Sequence, residues 1–141
     1  MSALTFQQAQ GLITAAFAAA RDKGYKPMGL VVVDAAGQIK AAAREDGATA
    51  LRIDIANGKA SAALGMGVNS RVLAQRAKDL PAFLTALASV SSQKFLPQTG
   101  AVLIRDAAGV IIGAAGASGG TGDEDEEICI AGIAAVGLAH A

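Results

Sequence analysis

The densest group of chemically capable side chains is an acidic run, Asp123 to Glu127, directly after the glycine-rich segment Ser118 to Gly122. Carboxylates are ligands for magnesium, calcium or iron. On a helix only residues three or four apart converge, so Asp123 could share a divalent cation with Glu126 or Glu127. The alternative is that these carboxylates oppose the positive end of a helix dipole. Either interpretation predicts a helix that begins here.

A glycine-rich segment before a helix can also bind phosphate through free backbone amides. The five carboxylates that follow Gly122 would repel a phosphate placed there. The glycine spacing fits neither a P-loop nor a dinucleotide-binding fingerprint. We therefore expect no nucleotide at this segment.

Nucleophilic catalysis finds little support, and the sequence identifies no catalytic residue. The only histidine is His140, one residue from the end, so a histidine-dependent triad is not expected. Cys129 lies in an apolar segment, where a buried thiol with a raised pKa is expected. Lys59 stands among small residues and could be partly buried as the partner of an anion, or could extend to water.

Charge and composition bound the remaining function classes. The 141 residues carry 12 basic and 12 acidic side chains, so no global field attracts nucleic acid or a membrane surface. The sequence shows no signal peptide or membrane span, which predicts a cytoplasmic protein. One cysteine excludes an internal disulfide or a multi-thiolate metal site. The length predicts one domain over residues 1–141.

Small side chains dominate the apolar half of the composition, with no tryptophan, one tyrosine and 17 glycines. Burial stabilises by about 25 cal/mol per Å², and alanine offers little area. A core of this kind would be thin, so we predict a homo-oligomer that buries further surface between copies.

Two hairpins with the same pattern predict the strands. In the first hairpin, an Asp-Ala-Ala-Gly turn joins the strand Leu30 to Val33 to the strand Gln38 to Ala43. In the second, the same turn joins Val102 to Arg105 to Val110 to Gly113. The first strand is apolar without alternation, so it should be covered on both faces. The sequence therefore predicts four antiparallel strands.

Helices are predicted around the hairpins. A capping box, Thr5 to Gln8, opens an amphipathic helix that ends by Gly24 to Pro27. Small apolar residues from Ile53 to Leu64 form another, ended by Gly65 to Gly67, after which Ser70 could cap a third. We also expect a short helix from Pro81 to Leu87 and a loop from Ala88 to Gly100. The last helix is apolar from Ile128 to Ala141, so we expect it to be covered on both sides.

Several motifs follow one another in a fixed order: Arg44 to Ala48, Ile53 to Ala56, Lys59-Ala60, Ile104 to Gly109 with Gly113, and Ser118 to Glu126. This ordered set resembles the GlcG/HbpS haem-binding or haem-degrading family, which also occurs as the C-terminal domain of PduO-type corrinoid adenosyltransferases. The resemblance covers essentially the whole chain. It implies a profilin-like α+β fold, with an antiparallel sheet flanked by helices, and assemblies of several subunits.

The resemblance also implies a ligand, namely haem or a related tetrapyrrole, with iron or another divalent cation as a further possibility. A propionate could pair with Arg44, Arg52 or Lys59. Resemblance to a PduO-type member implies an axial histidine, but residues 1–139 contain none. The other possible iron ligands are a hydroxyl, Tyr25, Met28, Met66, Cys129, or His140 from a neighbouring subunit.

Two alternatives stay open beside haem binding. One is a small-molecule binding or catalytic accessory protein of a glycolate, diol or aromatic catabolic pathway, and the other is a purely structural oligomer. The accessory role predicts an inter-subunit pocket near Arg44, Asp46, Lys59 and the loop from Ser118 to Gly122. In that loop the expected binding residues are Ser118, Gly119, Gly120 and Thr121.

Overall fold

Five strands form one antiparallel sheet in the computed structural model, which describes residues 3–140. The ends of the predicted 1–141 domain therefore lie outside the described residues. The strands are β1 (Gly29–Asp34), β2 (Ile39–Arg44), β3 (Ala101–Arg105), β4 (Ile111–Ser118) and β5 (Ala139–His140), in the order β2-β1-β4-β3-β5. The helices are α1 (Phe6–Asp22), α2 (Arg52–Met66), α3 (Ser70–Asp79), α4 (Pro81–Val90) and α5 (Gly122–Ala135).

Both predicted hairpins are confirmed, and they share the geometry of their turns. Asp34 Oδ1 accepts backbone N–H groups from the residues two and four positions on, at 3.0 and 3.1 Å. Asp106 Oδ1 does the same at 3.0 and 2.9 Å. The register skips one residue just after each turn, Lys40 in the first hairpin and Ile112 in the second. The sequence pattern that the two segments share therefore corresponds to the same hairpin structure.

The prediction of four strands was wrong at the C-terminal end. The last helix ends at Ala135 instead of continuing, because Gly137 takes a left-handed conformation with φ of +75° that turns the chain. The residues beyond it return to the sheet, where His140 pairs with Ile104. This fifth strand is only two residues long, Ala139–His140.

The sheet lies between two helical layers, so β1 is covered on both faces as predicted. Leu30 and Val32 point towards α1 and α5, whereas Val31 and Val33 point towards α2. The apolar helix α5 is covered by the sheet and by α1 of the same chain. A Cβ on Gly132 would lie 2.5 Å from the Leu12 carbonyl oxygen, so this glycine lets the two helices approach closely.

Helices α3 and α4 form a smaller cluster beside α2 and differ in detail from the prediction. Ser70 does not cap α3 but is its first residue, and its buried hydroxyl accepts from the Ala101 N–H at 2.8 Å. Helix α4 begins at Pro81 as predicted and runs to Val90, three residues beyond the predicted end. Within residues 3–140, no helix is long and apolar enough to cross a membrane.

Candidate functional site

One end of the sheet gathers most of the predicted site residues. Gly29 begins β1 and pairs with Arg44 at the end of β2 and with Ser118 at the end of β4. Helix α2 begins beside it, where a Cβ on Gly29 would lie 2.9 Å from the Arg52 Cβ. Helix α5 begins at Gly122, four residues after β4 ends. The antiparallel order therefore brings together segments that are far apart in sequence.

A buried ion pair, Lys59 with Asp125, lies beneath this end of the sheet. Their Nζ–Oδ2 distance is 3.0 Å, and their side chains are 7% and 2% exposed. Lys59 also donates to the Ala117 carbonyl oxygen at 3.0 Å, and Asp125 Oδ1 accepts the Gly120 N–H at 3.0 Å. Burial raises the pKa of Asp125, and the nearby Lys59 ammonium partly offsets that rise. The anion that pairs with Lys59 therefore belongs to the chain itself.

Arg52 differs from Lys59 because, among the described residues, no carboxylate forms a salt bridge with its guanidinium. Its Nη1 donates to Ser118 Oγ and its Nε to Thr49 Oγ1, both at 3.1 Å. The half-buried guanidinium thus keeps a positive charge at the end of β4.

Two concavities meet at Arg52 and Gly120. The first, which we call the Tyr25 depression, has a volume of about 470 Å³ and is lined by Gly24, Tyr25, Lys26, Arg52, Gly119, Gly120, Thr121 and Glu124. The second, which we call the Lys59 cavity, has a volume of about 260 Å³ and is lined by Arg52, Ile55, Lys59, Leu96, Gln98, Thr99, Ser118, Gly120, Gly122 and Asp125. Six predicted site residues line one or both: Arg52, Lys59, Ser118, Gly119, Gly120 and Thr121.

Arg44 and Asp46 stand apart from those six residues. They line a separate depression of about 530 Å³ beside α1. Arg44 Nη1 donates to the Ala48 carbonyl oxygen at 2.5 Å within its own turn. Glu45 lies between them and accepts the Met28 N–H at 2.9 Å. The structure therefore does not bring Arg44 and Asp46 into the lining around Arg52.

The acidic run begins α5 as predicted, with Thr121 and Glu124 forming a capping box. Asp123 and Glu126 do converge, but both contact the guanidinium of Arg71.

Glu127 points elsewhere. It contacts Lys23 Nζ at 2.7 Å and accepts the Tyr25 hydroxyl at 2.9 Å, which together lower the pKa of Glu127. In the part of the chain described, no group of three or more His, Cys, Asp or Glu side chains gathers to hold a metal. The cation site of two carboxylates stays a prediction, and a cation there would compete with Arg71.

Asp125 is the site residue that the sequence reasoning missed. The two interpretations of the acidic run, a cation site or opposition to the helix dipole, give Asp125 no role of its own, although helical spacing places it on the same face as Ile128, Cys129 and Gly132. All four are buried. That shared face was the available signal, because a carboxylate on a buried helix face requires a partner.

The possible iron ligands are widely separated in the fold. Tyr25 lines the depression named for it, and its bond to Glu127 raises the pKa of the phenol. Met28 is fully buried, and so is Cys129, whose pKa is raised by burial. Met66 ends α2, away from the end where Arg52 lies. His140 is exposed in β5 and pairs near the far end of β3.

Comparisons with known proteins agree with this architecture. The family model described as haem degrading protein HbpS-like matches residues 4–134. The crystal structure of a PduOC–haem complex is 28% identical, with a TM-score of 0.85 and 98% of each chain covered. A double mutant of HbpS from Streptomyces reticuli is 28% identical, with a TM-score of 0.84, 97% of this chain and 89% of that chain covered.

The fold is shared more widely still. Protein ORFY of Klebsiella pneumoniae is 23% identical, with a TM-score of 0.85, 96% of this chain and 92% of that chain covered. Among curated proteins no relative matches. Because the family model spans nearly all of the sequence, the chain belongs to the family described as haem degrading protein HbpS-like.

Proposed function

We propose that the protein binds haem or a related tetrapyrrole at the Tyr25 depression. The observation that carries this proposal is that one depression combines Tyr25, a residue type that binds haem iron, with the cations Lys26 and Arg52. The one carboxylate in the lining, Glu124, already accepts the Thr121 N–H at 2.9 Å, so the lining keeps a net positive charge. Cations at this position fit the carboxylates of haem propionates. The family and the 28% identical PduOC chain solved with haem support the same ligand.

The donor set fits haem on one condition, which concerns the proton of Tyr25. The phenol now donates to Glu127 Oε2 at 2.9 Å, and that hydrogen bond raises its pKa. A tyrosine that binds iron does so as the phenolate, so binding would have to release this proton to solvent, because Glu127, whose own pKa is lowered, is a weak base for it. Lys23, 2.7 Å from the same carboxylate, balances the charge there. Haem would supply a redox-active iron centre at this surface.

Titration with hemin, followed by the Soret band, tests the proposal. We expect a saturable shift of the band in the unmodified protein and an altered spectrum in Tyr25→Phe, which keeps the ring and removes only the oxygen. His140→Ala is the matched variant for a ligand that comes from a neighbouring copy. A featureless titration, with no change in thermal stability, would exclude haem binding.

We also infer that the chain self-associates, and the support is apolar surface on α3 and α4. Helix α4 carries no charged side chain, and Phe83 and Val90 are 55% and 80% exposed. Val72 and Leu80 add to the same pair of helices. Exposed apolar clusters of this kind mark interfaces. Phe83→Glu should lower the mass measured by light scattering in solution, whereas Val110→Glu on the distant hairpin turn should leave it unchanged.

A second candidate function is the small-molecule accessory role. The observation that favours it is the Lys59 cavity, which at about 260 Å³ is below the range for drug-sized ligands and suits a ligand of a few heavy atoms. Screening small carboxylates and diols by thermal shift tests this role, because bound ligand stabilises the folded state by mass action. An unchanged melting temperature with every compound would count against it.

A further inference from the structure

The two edges of the sheet differ in how they are covered. At the β3 edge, β5 pairs with one end of the strand, and at the other end Asn69 Oδ1 accepts the Leu103 N–H at 2.9 Å. Ser70 Oγ accepts the Ala101 N–H there at 2.8 Å. The opposite edge strand, β2, pairs with β1, and no strand within residues 3–140 pairs with its outer side. Because unpaired backbone groups on an edge are a template for another strand, the β2 edge is open to one.

A groove lies between β2 and α1, and we call it the β2 groove. Its first part, of about 380 Å³, is lined by residues 41–43 of β2 and by α1 side chains that include Phe6, Ile13 and Phe17. Its second part, of about 530 Å³, shares Phe17 and extends to Arg44. No residue of β1 lines either part, so the groove lies on the outer side of β2. It accompanies four successive strand residues, about 13 Å of extended chain, which suits a peptide better than a compact small molecule.

An added strand would point alternate side chains into the β2 groove. Ala41 and Ala43 face α1, because both pack against the cluster on that side of the sheet, whereas Ala42 between them is exposed. Residues directly opposite in paired strands lie on the same face. Side chains opposite Ala41 and Ala43 would therefore enter the groove, where Phe6 is 54% exposed. The groove thus favours apolar side chains at two positions separated by one residue.

A cation stands at each end of this part of the strand. None of the salt bridges among the described residues involves Lys40 or Arg44. Of the neighbouring carboxylates, Asp34 accepts two N–H groups of its own turn, and Glu45 contacts a guanidinium of α1 at 3.1 Å. Asp46 is exposed in the turn that follows the strand. The two ends of the strand therefore favour acidic residues in a partner.

The same cations disfavour a second copy of the chain as that partner. Two antiparallel copies of β2 would bring Lys40 of one copy near Arg44 of the other. Like charges on adjacent strands weaken the pairing, and charged residues on an edge strand are a common means of preventing edge-to-edge association. The open edge is thus suited to a different chain.

We propose that the β2 edge binds an extended peptide segment of another protein as an added antiparallel strand. The segment carries apolar side chains opposite Ala41 and Ala43 and acidic side chains near Lys40 and Arg44. Main-chain hydrogen bonds supply affinity, while the groove and the two cations supply specificity. The antiparallel direction continues the sheet, in which every pairing described is antiparallel. The β2 groove shares no lining residue with the two concavities around Arg52, so this function is additional to those proposed there.

Fluorescence anisotropy with a dye-labelled synthetic peptide and the full chain tests the proposal. The probe is Thr-Glu-Val-Thr-Val-Glu-Thr with blocked ends, whose valines match the groove and whose glutamates match the cations. We expect saturable binding, which Thr14→Trp should abolish by filling the groove from an exposed position on α1. Thr85→Trp, at an exposed position on α4, is the matched control and should bind as the unmodified protein does. No saturable binding, or equal binding by the two variants, would overturn the proposal.

A charge exchange tests the direction of the added strand. Lys40→Glu should weaken binding of the probe by about threefold or more, the range for one cross-strand charge pair. In an antiparallel strand the second glutamate of the probe lies nearer residue 40. Replacing that glutamate by lysine should therefore restore the affinity for Lys40→Glu, and replacing the first should not. Lys78→Glu, exposed on α3, is the control and should bind the original probe normally. Restoration by the first exchange, or by neither, would overturn the proposal.

Methylation of alternate peptide amides tests the strand geometry. In an added edge strand, every second amide faces the neighbouring strand. Methylation of one alternate set should therefore abolish binding, whereas methylation of the other set should not, and equal effects would overturn the proposal. Light scattering at saturating probe tests the remaining occupant. An unchanged molecular mass is expected, and a fall in mass would show that a second copy had occupied the β2 edge, which would also overturn the proposal.

Discussion

Replacing Lys59 by methionine tests the energetics of the buried pair at the centre of the site. Methionine matches the length of the lysine side chain but leaves Asp125 without its partner at 3.0 Å. Removing one member of a buried pair costs about 3–5 kcal/mol, because the other charge stays buried and uncompensated. For a chain of this length we expect the melting temperature to fall by about 10–20 °C.

The loss in Lys59→Met should depend on pH in a definite direction. Burial already raises the pKa of Asp125, and Lys59 opposes that rise, so the variant raises the pKa further. A carboxyl whose pKa is higher in the folded state than in the unfolded state favours folding most fully below its unfolded pKa. That contribution is lost as the pH rises through the folded pKa. The difference in the free energy of unfolding between Lys59→Met and the unmodified protein should therefore shrink as the pH falls from 7 towards 4, by at most about 1.4 kcal/mol per pH unit.

Urea unfolding followed by circular dichroism at several pH values provides the assay. Lys78→Met is the matched control, since Lys78 is exposed in the last turn of α3. Adding Asp125→Asn to Lys59→Met should recover part of the loss, because the neutral amide oxygen can still accept the Gly120 N–H. The reasoning would be refuted by a Lys59→Met loss no larger than that of the control, or by one that does not change with pH.

Three further predictions concern packing, the acidic run and the thiol. Gly116→Ala should lower the free energy of unfolding measured in urea by about 1–3 kcal/mol, because the new Cβ would lie 2.4 Å from a carbonyl oxygen of α2. Gly65→Ala is the matched variant and should raise that free energy, because the space around Gly65 is open and alanine favours the helix. Arg71→Gln should change the melting temperature by less than about 4 °C, since the exposed salt bridges of Arg71 with Asp123 and Glu126 contribute little to stability. The same substitution frees both carboxylates, so calorimetry should show a higher affinity for Mn²⁺. An unchanged affinity would contradict the predicted cation site. Cys129 should resist a thiol reagent until denaturant is added, as burial raises its pKa, and rapid labelling of the native protein would contradict its buried position.

The parts of the fold that the sequence predicted are those that short-range rules govern. Each hairpin turn is specified by an aspartate that accepts two nearby N–H groups and a glycine with positive φ. The two capping boxes at Thr5 and Thr121 are equally local, and both helices begin there. The fifth strand was not predictable in this way, because Ala139–His140 is a strand only through its pairing with β3.

The candidate site was likewise only partly predictable from the sequence. Arg52, Lys59 and the loop from Ser118 to Thr121 were identified as candidates, but their grouping follows from the strand order, with β4 beside β1 and α2 packed on both. Arg44 was expected in the same pocket, yet it lies on the edge strand β2 beside a different depression. The hairpin turns identify β1 with β2 and β3 with β4 as neighbours, but sequence spacing does not show that β4 lies beside β1.

The sequence by itself determined the hairpins, the helix starts, the apolar strands and the set of charged side chains available for a site. Only the tertiary structure decided how those charges combine. Lys59 and Asp125 are 66 residues apart and meet because α2 and α5 pack against β4 from opposite faces near its end. Their mutual neutralisation leaves Arg52 charged. Electrostatic interaction depends on distance and burial, and both are fixed only when the layers close.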